Sequence, residues 1–274
     1  MNRTGVMTVA RNEEATIAFV IGAALPHVDH YVFIDTGSDD KTVQIVMTLF
    51  GRAIQSGKLS ILIMPVGLAI WQAREKALEI LRENYIDFFF ILDGDDVCYD
   101  TTIVEAVNGP CQYPISSINN IWVPSFELYQ HKAETSREWL SSIMNHTLPI
   151  FEMTKHLGHH HIYARPTRIQ NVHDAYAKGN WVDESNGLTP EGVFHNKIRG
   201  EVKWNVKLSA HYGWARPMQE KRAKANIRYG SKAHWTERIE KLHEAPYCIQ
   251  RGLITFNNHP EIFGRIGNQV MEIL

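Results

Sequence analysis

Apolar runs alternate with amphipathic helical patterns over the first hundred residues, and this alternation is the feature that most constrains the fold. The four apolar runs predict strands at 6–10, 31–35, 59–65 and 88–92. The segments between them predict helices at 13–25, 41–50 and 70–84. Strands that are apolar along their whole length are typical of a parallel sheet with helices on both faces. We therefore expect an α/β fold with a mostly parallel central sheet.

The beginnings of the predicted helices are assigned from residues that commonly cap a helix. Asn12 is predicted to cap the first helix, and Ser38 or Asp39 the second. The third helix has the spacing of an amphipathic helix. One face of it is predicted to be buried, and that face carries Ala73, Ala77, Leu78 and Leu81.

The fourth apolar run leads directly into a group of carboxylates. Residues 88–97 have the sequence FFFILDGDDV, in which five apolar residues are followed by Asp-Gly-Asp-Asp. In open α/β sheets, ligands bind just outside the carboxyl ends of the strands. Asp35 also ends a predicted strand, so we expect it at the same edge of the sheet as the acidic group.

The acidic group predicts a metal site. Asp93, Asp95 and Asp96 would repel one another in a partly dry crevice, so either their pKa values rise or a cation lies between them. Carboxylate oxygens suit hard divalent ions such as Mg²⁺ and Mn²⁺. If the segment is extended, Asp93 and Asp95 face one ligand, and Gly94 allows a close backbone approach. The alternative is an acidic turn that caps the next helix.

Composition and cysteine content set the class of protein. The chain has 274 residues, 44 % of them hydrophobic, which allows one large domain or two small ones. Cys98, Cys111 and Cys248 are odd in number and lack the spacing of a metal site, which fits a reducing compartment. No apolar run reaches the roughly 18 residues of a membrane span, and the N-terminus lacks a secretory apolar region. We expect a cytoplasmic protein without a transmembrane segment.

Basic residues are concentrated in one part of a chain whose formal net charge is only −2. Residues 196–241 contain twelve Lys or Arg and four Glu. Such a segment is either a solvated helical face or a surface for an anionic acceptor, for example a phosphorylated lipid, a nucleic acid or a sugar phosphate.

Four motifs in the first hundred residues resemble the family-2 glycosyltransferases of GT-A fold, in the bacterial branch that often carries repeat domains. VARNEEATI (9–17) is similar to the family's first strand–turn–helix, and VFIDTGSDDKTVQI (32–45) to its second. AREKAL (73–78) resembles the helix with a donor-facing Arg, and ILDGDDV (91–97) resembles the DXD segment. Their order and spacing make the resemblance specific.

The resemblance implies roles for individual residues. It implies a nucleotide pocket lined by Ala10, Arg11 and Glu13, and contacts of Asp35 with the base or ribose of a nucleotide sugar, supported by Arg74. It further implies that Asp93, beside Gly94, approaches the ribose and the metal, and that Asp95 holds Mn²⁺ or Mg²⁺ on the diphosphate. The alternatives are a turn role for Asp35 and a helix-surface ion pair of Arg74 with a neighbour such as Glu75 or Glu79.

The second half of the chain resembles the family in two shorter segments. LSAHYGW (208–214), before a basic helix, implies that His211 is a further metal ligand, although a lone His is often a polar core residue. GNWVDES (179–185) implies a catalytic base at Asp183 or Glu184, with Asp183 preferred. The relatives have His before Glu at this place, so Glu184 stays an alternative for the base. The other alternative is that the segment is an ordinary acidic loop without a catalytic role.

The resemblance implies an inverting, metal-dependent glycosyltransferase of hexosyltransferase type. The donor is a nucleotide sugar, expected to be a UDP-sugar, and the acceptor hydroxyl belongs to an unknown glycan, lipid phosphate or nucleic acid. Residues 1–110 are expected to bind the donor, 111–215 to form the acceptor half of the same domain, and 216–274 to form a helical tail. In the second half we expect strands at 121–130 and 162–170 and a helix at 216–242.

The sequence allows three other functions to be compared with this one. A nucleotidyltransferase usually has a Gly-rich basic loop near its N-terminus, and VARNEEA is acidic and lacks Gly. A non-catalytic nucleotide-sugar-binding protein stays open because the base is uncertain. A Rossmann oxidoreductase is disfavoured, since no G-x-G-x-x-G follows the first strand.

Overall fold

The computed structural model describes residues 3–68, 70–100, 133–147 and 259–274, and the single positions 104, 210, 212, 213, 216, 217, 219 and 220. It also gives the backbone of short strands at 125–127, 150–152, 163–164, 181–183, 186–188, 209–211 and 255–256.

The described strands and helices alternate in the first hundred residues. The strands are β1 (Thr4–Ala10), β2 (His30–Asp35), β3 (Leu59–Ile63), β4 (Phe88–Ile91), β5 (Asp96–Cys98), β6 (Ser125–Glu127), β7 (Ile150–Glu152), β8 (Tyr163–Ala164), β9 (Trp181–Asp183), β10 (Asn186–Leu188), β11 (Ser209–His211) and β12 (Thr255–Phe256). The helices are α1 (Ile17–Ala24), α2 (Thr42–Leu49), α3 (Gly51–Gln55), α4 (Ile70–Glu83), α5 (Ser136–Met144) and α6 (Ile262–Ile273), with a 3₁₀ turn at Leu25–His27.

The first sheet is parallel except at one edge. Its order is β3-β2-β1-β4-β8, and only β8 runs antiparallel to its neighbour. The register places Ala10 opposite Asp35, so these two strands end side by side. The four predicted strands of the first hundred residues are confirmed, with ends that differ by at most two residues. The apolar runs predicted them because strands in a covered parallel sheet have no solvent face.

Helices cover both faces of this sheet. Every residue of α1 is buried, and the helix packs on the face that carries Val6, Tyr31 and Phe33. Helix α4 packs on the opposite face, against Met7 and Val32. The predicted buried face of α4 is confirmed by the burial of Ala73, Ala77, Leu78 and Leu81.

The predicted helix caps are wrong. Helix α1 begins only at Ile17, with Thr16 as its N-cap, because Asn12 has a left-handed backbone (φ 56°) and its side chain bonds to Asp39 instead. Helix α2 begins at Thr42, whose backbone N–H donates to the carboxylate of Asp40 at 2.9 Å. Ser38 and Asp39 are therefore not the capping residues, since both make contacts with the loop that contains Asn12.

A second sheet and the last helix lie beside the first sheet in the chain's described part. The strand order of the second sheet is β12-β7-β6-β11-β5, and β9 pairs with β10 in a separate hairpin. Helix α6 packs on α1, where the rings of Phe263 and Phe19 stack with centroids 4.1 Å apart. The Nζ atom of Lys41 donates to the main-chain oxygens of Ile273 and Leu274 at 2.8 Å, which satisfies carbonyl groups at the end of α6.

The predicted fold class, a GT-A-like α/β protein with a mostly parallel sheet and a C-terminal helix, is confirmed by this architecture. Strands β6 and β8 lie inside the predicted strands 121–130 and 162–170. The predicted helix 216–242 lies mostly outside the described residues, and the boundaries at 110 and 215 stay predictions. Among the helices in the described part of the chain, none is long and apolar enough to cross a membrane.

Candidate functional site

The three aspartates after β4 form a compact acidic turn. The backbone N–H of Asp96 donates to the main-chain oxygen of Asp93 at 3.1 Å, and one carboxylate oxygen from each of Asp93, Asp95 and Asp96 lies within 4.8 Å of the others. The side chain of Asp93 is 50 % exposed and that of Asp95 14 %, whereas Asp96 is buried. The expected extended segment is therefore wrong, but the turn still brings the carboxylates together.

Gly94 lets the acidic turn pack against the loop that follows β1. A Cβ atom at this position would lie 2.8 Å from Cγ of Glu13 and 2.9 Å from Cβ of Ala10, closer than real contacts allow. The hydroxyl of Thr16 also donates to the main-chain oxygen of Gly94 at 2.7 Å. Gly94 is therefore required for the packing of the turn, and its predicted approach to a ligand stays a prediction.

The β1–α1 loop brings the predicted nucleotide-binding residues to this edge of the sheet. Glu13 is buried, and its backbone N–H donates to the hydroxyl of Thr42 at 2.8 Å. The main-chain oxygen of Ala10 accepts from the backbone N–H of Thr36 at 3.0 Å. Arg11 is partly buried, and its Nε atom has no hydrogen-bond partner among the described residues. These contacts join the ends of β1 and β2.

Asp35 holds the turn that follows β2. One oxygen of its buried carboxylate accepts from the backbone N–H groups of Gly37 and Ser38, each at 3.0 Å, and the other accepts from the Ser38 hydroxyl. Gly37 has φ 90°, a backbone conformation that favours glycine. These contacts support the alternative of a turn role for Asp35, and its contact with a donor stays a prediction.

Arg74 faces the acidic turn from helix α4. The residue is buried, and its Nη2 atom lies 3.8 Å from Oδ1 of Asp93. On the solvent side of the same helix, Lys76 forms the ion pair with Glu79 at 2.7 Å. The alternative of an exposed helix-surface cation is therefore wrong for Arg74, because its guanidinium lies at the carboxyl edge of the sheet.

Arg216 is the residue of the site that the sequence analysis missed. Its side chain is 1 % exposed, with Nη1 paired to the Glu13 carboxylate, Nη2 donating to Oδ2 of Asp95, and Nη1 3.7 Å from Glu220. Burial works to lower the pKa of Arg216, but the carboxylates of Glu13 and Asp95 outweigh it and raise that pKa above its ordinary value. Arg216 is therefore permanently charged.

The remaining predicted site residues lie at the edge of, or outside, the described part of the chain. His211 is the last residue of β11 and pairs in register with Asp96, which places its backbone beside the acidic turn. Asp183 is the last residue of β9, and Glu184 lies outside the described residues. The roles of all three stay predictions.

The acidic turn fits a divalent cation by its chemistry. Three carboxylates offer the oxygen ligands that Mg²⁺ and Mn²⁺ prefer, and the half-exposed Asp93 opens the group to solvent. Asp93 and Asp95 would hold such an ion. Arg216 already shares the Asp95 carboxylate, so part of the negative charge of this group is neutralised by the protein itself.

Comparison with solved structures finds similar chains at low identity. TarS residues 1–349 from S. aureus is 12 % identical over 90 % of this chain and 72 % of that one, with a TM-score of 0.45. The mannosyltransferase PcManGT from Pyrobaculum calidifontis, solved with GDP-Man and Mn²⁺, is 18 % identical over 45 % of this chain and 35 % of that one, with a TM-score of 0.37. Glucosyl-3-phosphoglycerate synthase from Mycobacterium tuberculosis is 22 % identical over 61 % and 58 %, also with a TM-score of 0.37.

The match to a family model is stronger evidence than these likenesses. The chain spans only about a third of the mannosyltransferase and less than two thirds of the synthase. No curated protein shows significant sequence similarity to it. The model of glycosyl transferase family 2, however, matches residues 6–165, which is more than half of the chain and includes the acidic turn, Asp35 and Arg74. The protein therefore belongs to glycosyl transferase family 2.

Proposed function

We propose that the protein is an inverting, metal-dependent glycosyltransferase that moves a sugar from a nucleotide donor, expected to be a UDP-sugar, to an acceptor hydroxyl. One observation supports this most directly. The carboxylates of Asp93, Asp95 and Asp96 lie within 4.8 Å of one another at the carboxyl edge of a parallel sheet, in a chain of this family. That edge is where open α/β sheets bind their ligands.

The charges at the site support a donor that carries phosphate. A nucleoside diphosphate and the acidic turn repel each other, and a Mn²⁺ or Mg²⁺ ion on Asp93 and Asp95 would remove that repulsion and stabilise the leaving diphosphate. Arg74, whose guanidinium lies beside Asp93, adds a fixed positive charge at the same place. His211 would supply a further ligand to the ion.

The loops at the ends of β1 and β2 would bind the nucleoside. Ala10, Arg11 and Glu13 follow β1, and Asp35 ends the neighbouring strand, so a base or ribose beside one lies close to the others. Asp183 or Glu184 would take the proton of the acceptor hydroxyl. The hydroxyl oxygen then bonds to the sugar while the bond between the sugar and the diphosphate breaks. Attack from the face opposite the leaving group inverts the configuration at that carbon.

A second candidate is a nucleotide-sugar-binding protein without transferase activity. The ion pairs of Arg216 with Glu13 and Asp95 favour it, because they already neutralise two carboxylates of the site without a metal. Such a protein would bind a nucleotide sugar equally well with and without a divalent ion. The family match favours transfer of a glycosyl group over transfer of a nucleotidyl group.

The acceptor and the compartment belong to the proposal as well. The basic stretch 196–241 would suit an anionic acceptor such as a lipid phosphate or a nucleic acid, and a neutral glycan is the other possibility. Cytoplasmic location is proposed from the three cysteines, of which Cys98 is a buried free thiol.

A donor panel tests the proposal. Purified protein is incubated with UDP-, GDP- and other nucleotide sugars, with Mn²⁺, with Mg²⁺ or with a chelator, and released nucleoside diphosphate is measured. We expect release from one donor class only with a divalent ion. Asp95→Asn should abolish metal-dependent donor binding, whereas Asp100→Asn, which alters an ion pair with Arg265 and leaves the three aspartates of the turn in place, should not. Equal donor binding with and without metal, and no release, would favour the binding protein.

A further inference from the structure

Arg216 is buried among acidic groups that the donor site uses. Its guanidinium contacts Glu13 with one terminal nitrogen and Asp95 with the other. Glu220, four residues further along the chain from Arg216, lies near the same guanidinium. Burying a charged side chain is unfavourable unless it is paired and hydrogen-bonded, so these carboxylates stabilise the buried guanidinium. The planar fork of an Arg suits two carboxylates at once, which the point charge of a Lys does not.

The chain around Arg216 also holds the backbone of the acidic turn. We call residues 209–216 the clamp segment, of which 214 and 215 lie outside the described part. Its strand β11 pairs with β5, with His211 opposite Asp96. The backbone N–H of Tyr212 then donates to the main-chain oxygen of Asp95 at 2.8 Å. Asp95 is thus held twice by one segment, once through its backbone and once through its side chain.

We propose that Arg216 is a positioning residue that fixes the Asp95 carboxylate against the β1–α1 loop and so shapes the acidic turn for its cation. This inference rests on the proposed function, in which Asp95 holds the metal. Arg216 does not itself touch the donor, because only 1 % of its side chain is exposed. It acts through Asp95 and Glu13, and through them it connects the second sheet to the nucleotide-binding edge of the first.

Positioning by Arg216 affects the order in which an entering cation meets the carboxylates of the acidic turn. Oδ2 of Asp95 accepts from the Arg216 guanidinium, and the Asp96 side chain is buried. Asp93 is the most exposed carboxylate of the turn, so a cation from solvent meets Asp93 first and Asp95 in an orientation that Arg216 has already set. Loss of Arg216 removes a positive charge that competes with a cation for Asp95, but it also frees that carboxylate to rotate, and we expect the second effect to dominate. Cation binding should therefore weaken even though all three aspartates stay in place.

Hydrogen exchange in the metal-free protein tests the clamp without reference to any activity. We compare wild type, Arg216→Gln, Arg216→Lys and the control Arg265→Gln, which breaks the more exposed ion pair with Asp100. In Arg216→Gln the amides of residues 93–98 should exchange at least fivefold faster, while those of β2 change less than twofold. Arg216→Lys should fall between, and the control should match wild type.

Manganese binding provides the second measurement. The Kd for Mn²⁺, followed by the electron paramagnetic resonance signal of the free ion, should rise at least tenfold in Arg216→Gln and less in Arg216→Lys. Uniformly faster exchange across the first sheet would overturn the proposal, because Arg216 would then be a general stabiliser. So would unchanged exchange at 93–98, or an unchanged Kd.

Two further outcomes are covered by the design. If Arg216→Gln does not fold, Arg216→Gln/Glu220→Gln removes one excess negative charge and is measured instead, and failure of both variants to fold overturns a specific positioning role. If wild type binds no Mn²⁺ but exchange at 93–98 responds as expected, the metal dependence in the proposed function is wrong. The positioning of the acidic turn by Arg216 is then still supported.

Discussion

Nη2 of Arg216 contacts Oδ2 of Asp95, although 121 positions separate the two residues along the chain. The contact joins the segment after β11 to the turn after β4, and Nη1 of the same guanidinium extends it to Glu13 after β1. A single buried cation therefore holds together three loops that meet at the carboxyl edge of the parallel sheet. The first and the second sheet therefore both contribute to the candidate donor site, although the three carboxylates of the acidic turn come from one short stretch.

The packing of Gly94 leads to the first prediction. In Gly94→Ala the new Cβ would lie under 3 Å from carbon atoms of Glu13 and Ala10, so the turn or the loop must shift. We expect the free energy of unfolding to fall by about 1–3 kcal/mol, which is the usual cost of overpacking, and nucleotide affinity to fall with it. Urea denaturation and UDP titration measure the two effects.

Gly264→Ala is the matched control for this substitution. Gly264 is the third residue of helix α6. Apart from its chain neighbours and the backbone of its own helix, no heavy atom of the described residues lies within 4 Å of the position where its Cβ would be. Ala is favoured over Gly inside a helix by about 0.5–1 kcal/mol, so this variant should be slightly more stable than wild type and should bind UDP equally well. A Gly94→Ala variant with wild-type stability would contradict the packing described for the acidic turn.

The two candidate bases lead to the second prediction. If Asp183 accepts the proton of the acceptor hydroxyl, Asp183→Asn should lower the rate of sugar transfer by a factor of about 10² to 10⁴, the usual contribution of general base catalysis. Donor binding should be unchanged, because the base acts on the acceptor. Transfer assays and donor titration are measured for Asp183→Asn and Glu184→Gln side by side. Loss of transfer in Glu184→Gln alone would assign the base to Glu184.

The pH dependence of stability leads to the third prediction. Burial lowers the pKa of His30 below the ordinary value of 6.5, and the positive charge of Arg3 has a smaller effect in the same direction. The unfolded chain therefore binds more protons than the folded one, and the free energy of unfolding falls as the pH drops below about 6.5. His27 shifts in the same direction for the same main reason. Urea midpoints between pH 8 and pH 5 should show this decrease.

A glutamine at position 30 isolates the contribution of that imidazole. His30→Gln cannot be protonated in this range, and it keeps a polar group near the hydroxyl of Ser60, which lies 3.0 Å from Nε2 of His30. We expect the variant to lose less stability than wild type between pH 8 and pH 5. A decrease of the same size in both proteins would exclude His30 as a source of the pH dependence.

The first sheet could be predicted from sequence because its signals are local. The apolar run of β4 and the helical spacing of α4 each lie within one short segment. The structure buries Phe88 and Phe89 of β4 and the predicted apolar face of α4. The caps could not be predicted in the same way. Asn12 has the right side chain for an N-cap, but its amide bonds to Asp39 in another loop, and that partner becomes visible only in the fold.

The candidate site could be predicted only in part. The grouping of Asp93 with Asp95 follows from their closeness in sequence, although their shape as a turn depends on the packing of Gly94 against Glu13. Arg216 could not be found, since it lies in a stretch rich in basic residues and its pairing with Asp95 requires the second sheet. A basic residue just after a predicted metal-ligating segment was the one local signal.

The contacts of helix α6 lead to the last prediction. Phe263 is buried, and its ring lies 4.1 Å from that of Phe19 and 5.4 Å from that of Tyr212, measured between centroids. Phe263→Ala should lower the free energy of unfolding by about 3–5 kcal/mol, the typical cost of emptying a buried aromatic site. The control Ile63→Ala removes an exposed apolar side chain and should change stability by less than about 0.5 kcal/mol. Because Tyr212 donates its backbone N–H to Asp95, Phe263→Ala should also speed hydrogen exchange in the acidic turn. If Phe263→Ala unfolded at the same urea concentration as wild type and Ile63→Ala, helix α6 would not belong to the core that supports the site.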